Sequence, residues 1–184
     1  MKKILVVTSS VREGRIADNI LSTVNEQLAG FKDFEVTLAD LKELPMPFFN
    51  VPVSPSNEHF KATDENVIKW TRMVGEADAV VMLVAEYNYS FTAVLKNAID
   101  WIFKEWNGKP VVFVGYGWAG GARAIAQLRG VMGSLIAAQV METEANLRFL
   151  KEIDLEGNVI DQPAVEEAIK TTLEELELSF SPVL

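Results

Sequence analysis

The sequence predicts an α/β protein built on a doubly wound parallel sheet, and three observations carry that expectation. Apolar runs rich in β-branched residues recur at Ile4–Val7, Ala79–Val84 and Val111–Val114; strands apolar on both faces belong in parallel sheets covered by helices on each side. Segments with apolar residues three and four apart alternate with these runs. The 184 residues, 49% of them hydrophobic, suffice to enclose a core without metal or disulfide staples. A single domain spanning 1–184 is therefore expected.

Taken in order, Ile4–Val7 is the first strand. Ile16, Ile20, Leu21, Val24 and Leu28 give the first helix its apolar stripe, with Gly30 as a stop signal. Phe34–Leu38 reads as the second strand. The second helix carries Val67, Ile68, Thr71 and Val74 after Asp64, a suitable N-cap. After the strand Ala79–Val84 comes a third helix through Val94, Leu95, Ala98, Ile99, Ile102 and Phe103, ended by Asn107-Gly108. Beyond Val111–Val114, a fourth helix shows Ile125, Leu128, Val131 and Met132. Ser134–Val140 is expected as the fifth strand, and Val165, Ile169, Leu173 and Leu176 mark the fifth helix. This alternation implies right-handed crossovers. Two stretches break the rhythm. Leu44–Phe60 holds four prolines and no periodic face, which marks a functional or partner-contacting excursion; Thr143–Asp161 is read as irregular, with a turn at Asp154–Asn158.

Composition excludes several chemistries. There is no cysteine and one histidine, His59, so disulfides, a thiol nucleophile, thiolate metal sites and a two-histidine zinc helix are ruled out. Seventeen basic residues against 26 acidic ones give a net charge of −9, which argues against nucleic-acid binding while leaving room for a local phosphate site. No stretch approaches the roughly 20 apolar residues of a membrane span. The opening Met1–Val7 reads as a buried strand and not a signal peptide, so a soluble cytoplasmic protein is expected.

Open α/β sheets bind ligands beyond the carboxyl ends of their strands, and three loops leave such ends. Thr8–Arg15 offers hydroxyls, two guanidinium groups, a glycine and a helix N-terminus, the parts of a phosphate site or of a plain capped turn. Without a glycine-rich dinucleotide fingerprint or a Walker lysine, a mononucleotide phosphate fits best. Ala85–Ser90 places Glu86 directly after an apolar strand, where a carboxylate needs a partner. Gly115–Gly121 carries four glycines in seven positions, which lets backbone approach a flat ligand closely.

These loops carry a resemblance. Ala85-Glu86-Tyr87-Asn88-Tyr89-Ser90 followed by Leu95-Lys96-Asn97-Ala98-Ile99-Asp100-Trp101 resembles the signature of the NADPH-dependent FMN reductase family. Ser9–Arg15 is similar to that family's phosphate loop, and Gly117–Arg129 to its third element, with all three in order between about Lys3 and Glu177. The chain departs from the pattern at Ser9 for glycine, at Ala85 for proline, and at Thr92-Ala93 for Pro-Gly.

The resemblance implies a flavodoxin-like five-stranded sheet in the order 2-1-3-4-5 and non-covalent FMN. Carried over, Ser10, Arg12, Arg15, Ile16 and Ala17 would hold the phosphate. Glu86, Tyr87, Asn88 and Tyr89 would line the isoalloxazine, with Gly117, Gly120 and Gly121 supporting its other side. Trp118 would cover the ring, sit at a subunit contact or simply pack. The chain shows no obvious acid/base pair or nucleophile, and a flavin enzyme needs none, because the cofactor carries the hydride. The expected activity is an FMN-dependent NAD(P)H oxidoreductase, with NADPH or NADH as donor and quinones, azo compounds, free flavin or metal oxyanions as acceptors, in ping-pong turnover. Alternatives are an FMN electron carrier that ignores nicotinamide and a flavin-free interaction protein. His59 reads as a surface residue, Glu166, Glu167, Glu174, Glu175 and Glu177 as a solvated helix face, and Lys96 with Asp100 as a local pair. The apolar surplus of the third helix, Trp101 and Trp106 included, together with Phe49 and its neighbours, predicts a homodimer, with a tetramer left open.

Overall fold

In the computed structural model, which describes residues 1–134 and 136–181, the strands β1 (Lys2–Thr8), β2 (Phe34–Asp40), β3 (Ala79–Ala85), β4 (Pro110–Gly117) and β5 (Gln139–Arg148) form one parallel sheet in the order β2-β1-β3-β4-β5. The helices are α1 (Ala17–Leu28), α2 (Glu65–Glu76), α3 (Ala93–Asp100), α4 (Ala122–Gly133) and α5 (Gln162–Leu178). Alternate residues along each strand serve opposite layers. Leu5, Val7, Val80, Met82, Val111 and Phe113 pack against α2, α3 and α4. Ile4, Val6, Val81, Leu83, Val112 and Val114 pack against α1 and α5. This is the flavodoxin-like arrangement expected from the sequence. The Asp64 cap is present, its carboxylate accepting from Asn66 N and Val67 N at 2.9 and 3.0 Å.

Three expectations need correction. Ser134–Val140 is not the fifth strand: Ala137 has φ of 56°, Ala138 N bonds back to Met132 O, and the strand begins at Gln139; Leu135 lies outside the described residues. The strand runs on through Thr143–Arg148, a segment whose pattern reads as irregular. Its alternation is interrupted because Val111 pairs with Val140 but Phe113 with Glu144, so β5 advances four residues where β4 advances two. Glu175 of α5 closes this bulge, accepting from Glu142 N, Thr143 N and the Thr143 hydroxyl. Arg129 of α4 satisfies the carbonyls of Met141 and Glu142. Glu175 is thus a tie between elements and does not belong to a solvated face.

The third correction concerns α3, which ends at Asp100; Lys104–Trp106 form a separate 3-10 turn. Most of its apolar surplus, Trp101, Ile102 and Trp106, is covered from within the chain, while Phe103 stays exposed. Phe49, from the proline-rich excursion, packs edge-on against Trp101 at 5.1 Å, and Trp101 Nε1 donates to Pro47 O at 2.7 Å. Trp106 is fully buried against Trp70. Lys96 and Asp100 pair at 2.6 Å, and His59 is exposed.

Candidate functional site

Because all five strands run parallel, the loops after β1, β3 and β4 leave the same end of the sheet, and they enclose a cleft of about 420 Å³. Hollows of similar size lie at the β2 edge and beside the excursion; position and chemistry, not volume, single this one out.

The β1–α1 loop is fastened at both ends. The Ser9 hydroxyl donates to Leu83 O at 3.1 Å. Thr92, the N-cap of α3, donates to Ser9 O at 3.0 Å while accepting from Leu95 N. Two of the departures from the family pattern, Ser9 and Thr92, therefore meet, joining the first loop to the second.

Arg15 commits all five of its N–H donors. Nη1 reaches Ser10 O and Asp40 Oδ1, each at 2.8 Å; Nη2 reaches Asp18 at 2.7 Å and Asp40 at 2.5 Å; Nε reaches Asp18 at 3.2 Å. The guanidinium holds the Asp40 carboxyl below the usual carboxylate range, against the upward push of burial. Arg15 does not line the cleft, so the geometry makes it a brace of the loop and not a group facing a ligand. Arg12 is the opposite case. It lines the cleft, its guanidinium makes one long contact of 3.4 Å to Glu13 O, and among the described residues it has no carboxylate partner.

The β3–α3 loop is a tight turn in which Tyr87 and Ser90 exchange two backbone hydrogen bonds of 2.8 and 3.0 Å. Asn88 and Tyr89 both take positive φ, 48° and 66°, a strained choice for tyrosine. Helix α4 secures it. Gln127 donates to Tyr89 O and accepts from the Ser90 hydroxyl, and the Arg123 guanidinium lies 4.4 Å from the Tyr89 ring. Glu86 finds the partner its position demands: its side chain, 8% exposed, pairs with Arg123 at 3.0 Å and accepts Arg123 N at the start of α4, where the helix dipole favours a carboxylate.

In the third loop Gly117 and Trp118 face the cleft, with Trp118 packed edge-on against Phe149 at 5.5 Å. Gly120 and Gly121 do not line it. They fold the turn beneath β4 with φ of 64° and 76°; a Cβ on Gly121 would come within 2.7 Å of Gly115 Cα, and one on Gly120 equally close to Asn146 Cβ.

Of the residues singled out from sequence, Ser10, Arg12, Ile16, Glu86, Tyr87, Asn88 and Gly117 come together around one cleft. Arg15, Ala17, Tyr89, Gly120 and Gly121 stand behind or beside it. Sequence reasoning missed Tyr116 and Phe149. Tyr116 falls within the Gly115–Gly121 loop, where the sequence reading singles out only the glycines and Trp118, and the structure makes it part of β4; Phe149 follows a strand that the sequence pattern places too early. Tyr116 is 5% exposed, and its hydroxyl has no hydrogen-bond partner among the described residues.

The sheet order and the three converging loops define an α/β protein of flavodoxin type with a mononucleotide-sized cleft. The chain belongs to the NADPH-dependent FMN reductase family, whose profile matches residues 2–150. It is 35% identical over 164 residues to an NAD(P)H-dependent FMN reductase of Schizosaccharomyces pombe, covering 89% of this chain and 80% of that one. A quinone reductase of Escherichia coli is 31% identical over 173 residues, covering 88% and 87%. In fold, the flavoenzyme NAD(P)H:acceptor oxidoreductase FerB of Paracoccus denitrificans superposes with a TM-score of 0.76 at 22% identity, covering 97% of each chain.

The residues present fit FMN. An unpaired guanidinium and the start of a helix suit a phosphate, and a turn stiffened from α4 beside an aromatic pair suits a flat ring.

Proposed function

We propose that this chain is an FMN-dependent NAD(P)H oxidoreductase acting on small diffusible acceptors: quinones first, with azo compounds, free flavin and metal oxyanions as further candidates. The observation that carries the reading is the cleft at the carboxyl ends of β1, β3 and β4, lined by Arg12, which has no carboxylate partner among the described residues, together with Tyr87, Asn88 and Trp118. The relatives named as FMN and quinone reductases support it.

When bound, FMN supplies the hydride chemistry, accepting from a nicotinamide and passing reducing equivalents to an acceptor. The chain's own residues bind and orient. Arg12, Ser10 and the first turn of α1 hold the phosphate; Arg15 keeps that loop in shape through Asp40. Backbone groups of Glu86–Asn88 and Gly117, which line the cleft, would hold the ring, while Arg123 and Gln127 keep the turn in its strained form. Trp118 and Phe149 flank the mouth, where a planar acceptor or a nicotinamide would stack. Glu86 is committed to Arg123 and does not serve as a proton donor.

One mouth for both substrates means that donor and acceptor enter in turn. Initial rates measured with NADPH and with NADH against several quinones should give parallel double-reciprocal lines, the mark of an enzyme form that accumulates between half-reactions. Intersecting lines would require a ternary complex and a second pocket. A homodimer belongs to the same reading. Phe48 is 79% exposed beside an apolar hollow of about 220 Å³ formed by Val11, Leu44, Met46 and Val94, next to the β1–α1 loop.

A further inference from the structure

Tyr116 is the last residue but one of β4, on the strand face that carries Val112 and Val114 into the α1–α5 layer. By pattern it is a core position, and a phenylalanine would fill it without any polar atom to satisfy. The residue is 5% exposed, yet it lines the cleft together with Ser10, Arg12 and Ile16, and its hydroxyl is without a partner among the described residues. Buried polar groups are nearly always hydrogen-bonded, and an orphan destabilises the fold that contains it.

The surrounding groups show what is missing. The Ser10 hydroxyl lies close to the phenol but bonds the Tyr87 hydroxyl at 2.8 Å and does not meet hydrogen-bond geometry with Tyr116, and Arg15 has no donor to spare. Burial pushes the Tyr116 phenol far above its ordinary range, so it stays protonated and remains a donor. What the hydroxyl lacks is an acceptor; its oxygen is closed off from solvent, so an acceptor in the cleft reaches it with a small movement of the cleft wall. The only unpaired cation lining that space among the described residues is Arg12. Beside it lies Ile16, where α1 begins and leaves backbone N–H groups without helical partners. An acceptor between a guanidinium, a helix N-terminus and two phenols is an anionic oxygen.

We propose that the Tyr116 hydroxyl is a binding group for the cofactor's phosphate, donating to a phosphate oxygen held between Arg12 and the start of α1. This rests on the FMN reading and deepens it: selectivity for the phosphorylated flavin comes from a buried phenol under the loop as well as from the loop itself. The orphaned hydroxyl then belongs to the apoprotein alone, so removing it stabilises the apoprotein and weakens the complex.

That opposition of sign is the test. Wild type and Tyr116→Phe, both stripped of flavin, are melted and then titrated with FMN and with riboflavin by flavin fluorescence. The variant should melt no lower than wild type, bind FMN about 10- to 100-fold more weakly, as expected for one charge-assisted hydrogen bond, and bind riboflavin as wild type does. Unchanged FMN affinity would overturn the proposal and leave the FMN reading intact. An equal loss for FMN and riboflavin would place the phenol against ring or ribityl and also overturn it. A variant melting well below wild type would show that the hydroxyl already has a partner within the fold, which overturns it as well. Ser10→Ala, on the same loop floor, gives a second route to the FMN-against-riboflavin contrast. Wild type that takes up neither flavin would defeat the functional reading itself.

Discussion

Two arginines three residues apart do opposite work. Arg12 presents an unpaired guanidinium to the cleft, whereas Arg15 spends every donor on Asp40, Asp18 and Ser10. The sequence treats them alike, as a pair of phosphate anchors, because spacing along a loop does not reveal that β2 ends in a carboxylate beside it. Their substitution should separate. Arg12→Ala should weaken FMN binding by about 1.5–3 kcal/mol, the value of a hydrogen bond to a charged group, with little change in melting temperature. Arg15→Ala leaves Asp40, only 14% exposed, without its partner, and should destabilise the fold by about 3–5 kcal/mol, read by urea unfolding of the apoprotein. The same pair sets a pH dependence. Asp40 binds its proton less readily folded than unfolded, so the contribution is fully present above the unfolded carboxylate pKa of about 3.9 and is lost as pH falls below it. Unfolding free energy should therefore drop more steeply below about pH 4 in wild type than in Asp40→Asn; parallel profiles would remove Asp40 from that role.

At the scale of elements, Thr92 ties the start of α3 to the β1–α1 loop through the backbone carbonyl of Ser9, a bond that uses the threonine side chain, while the Ser9 hydroxyl is spent separately on Leu83 O. A threonine cap that also donates to Ser9 O fixes where α3 starts relative to the phosphate loop. Thr92→Val removes both bonds without changing size and should cost about 1–3 kcal/mol, as expected for a lost cap and a buried carbonyl left unmet, measured by thermal or urea unfolding; a neutral result would show that this tie does not hold the loop. The strands β1, β3 and β4 are legible because both their faces are buried and their composition says so. β5 is not, since it lies at the sheet edge, alternates polar with apolar, and contains a bulge whose unpaired groups are met by Glu175 and Arg129 from distant segments. The end of α3 is hidden for another reason: Trp101, Ile102 and Trp106 continue an apolar pattern after the helix has stopped, because the excursion and α2 bury them. Of the site, the loops themselves are readable from their composition. Tyr116 and Phe149 are not: Tyr116 sits in a loop whose glycines draw the attention, although β4 runs on through it, and Phe149 sits in a stretch whose pattern hides the strand before it.

On the whole molecule, that internal burial changes how assembly is to be tested. Trp106→Asp would place a charge in a fully buried site and unfold the chain, so it reports nothing about subunits. The apolar surface that remains beside the β1–α1 loop centres on Phe48, and Phe48→Asp should move the proposed dimer towards monomer in analytical ultracentrifugation while leaving the melting of the monomer unchanged. A wild-type monomer at micromolar concentration would dismiss the dimer and leave the cleft untouched. The distribution of chemistry is consistent: among the described residues, Arg15, Asp18, Asp40, Glu86 and Arg123 hold the loops around the cleft in place while Arg12 faces it, and no acid/base pair lines it. Such a site binds and orients, and leaves electron transfer to its cofactor. The direct measurement is an anaerobic mixing experiment on the FMN-loaded protein. Addition of NADPH or NADH should bleach the bound flavin at least as fast as steady-state turnover, and a quinone added next should restore the colour. Bleaching much slower than turnover, or bleaching by dithionite and not by either nicotinamide, would make the chain an electron carrier and contradict the oxidoreductase reading.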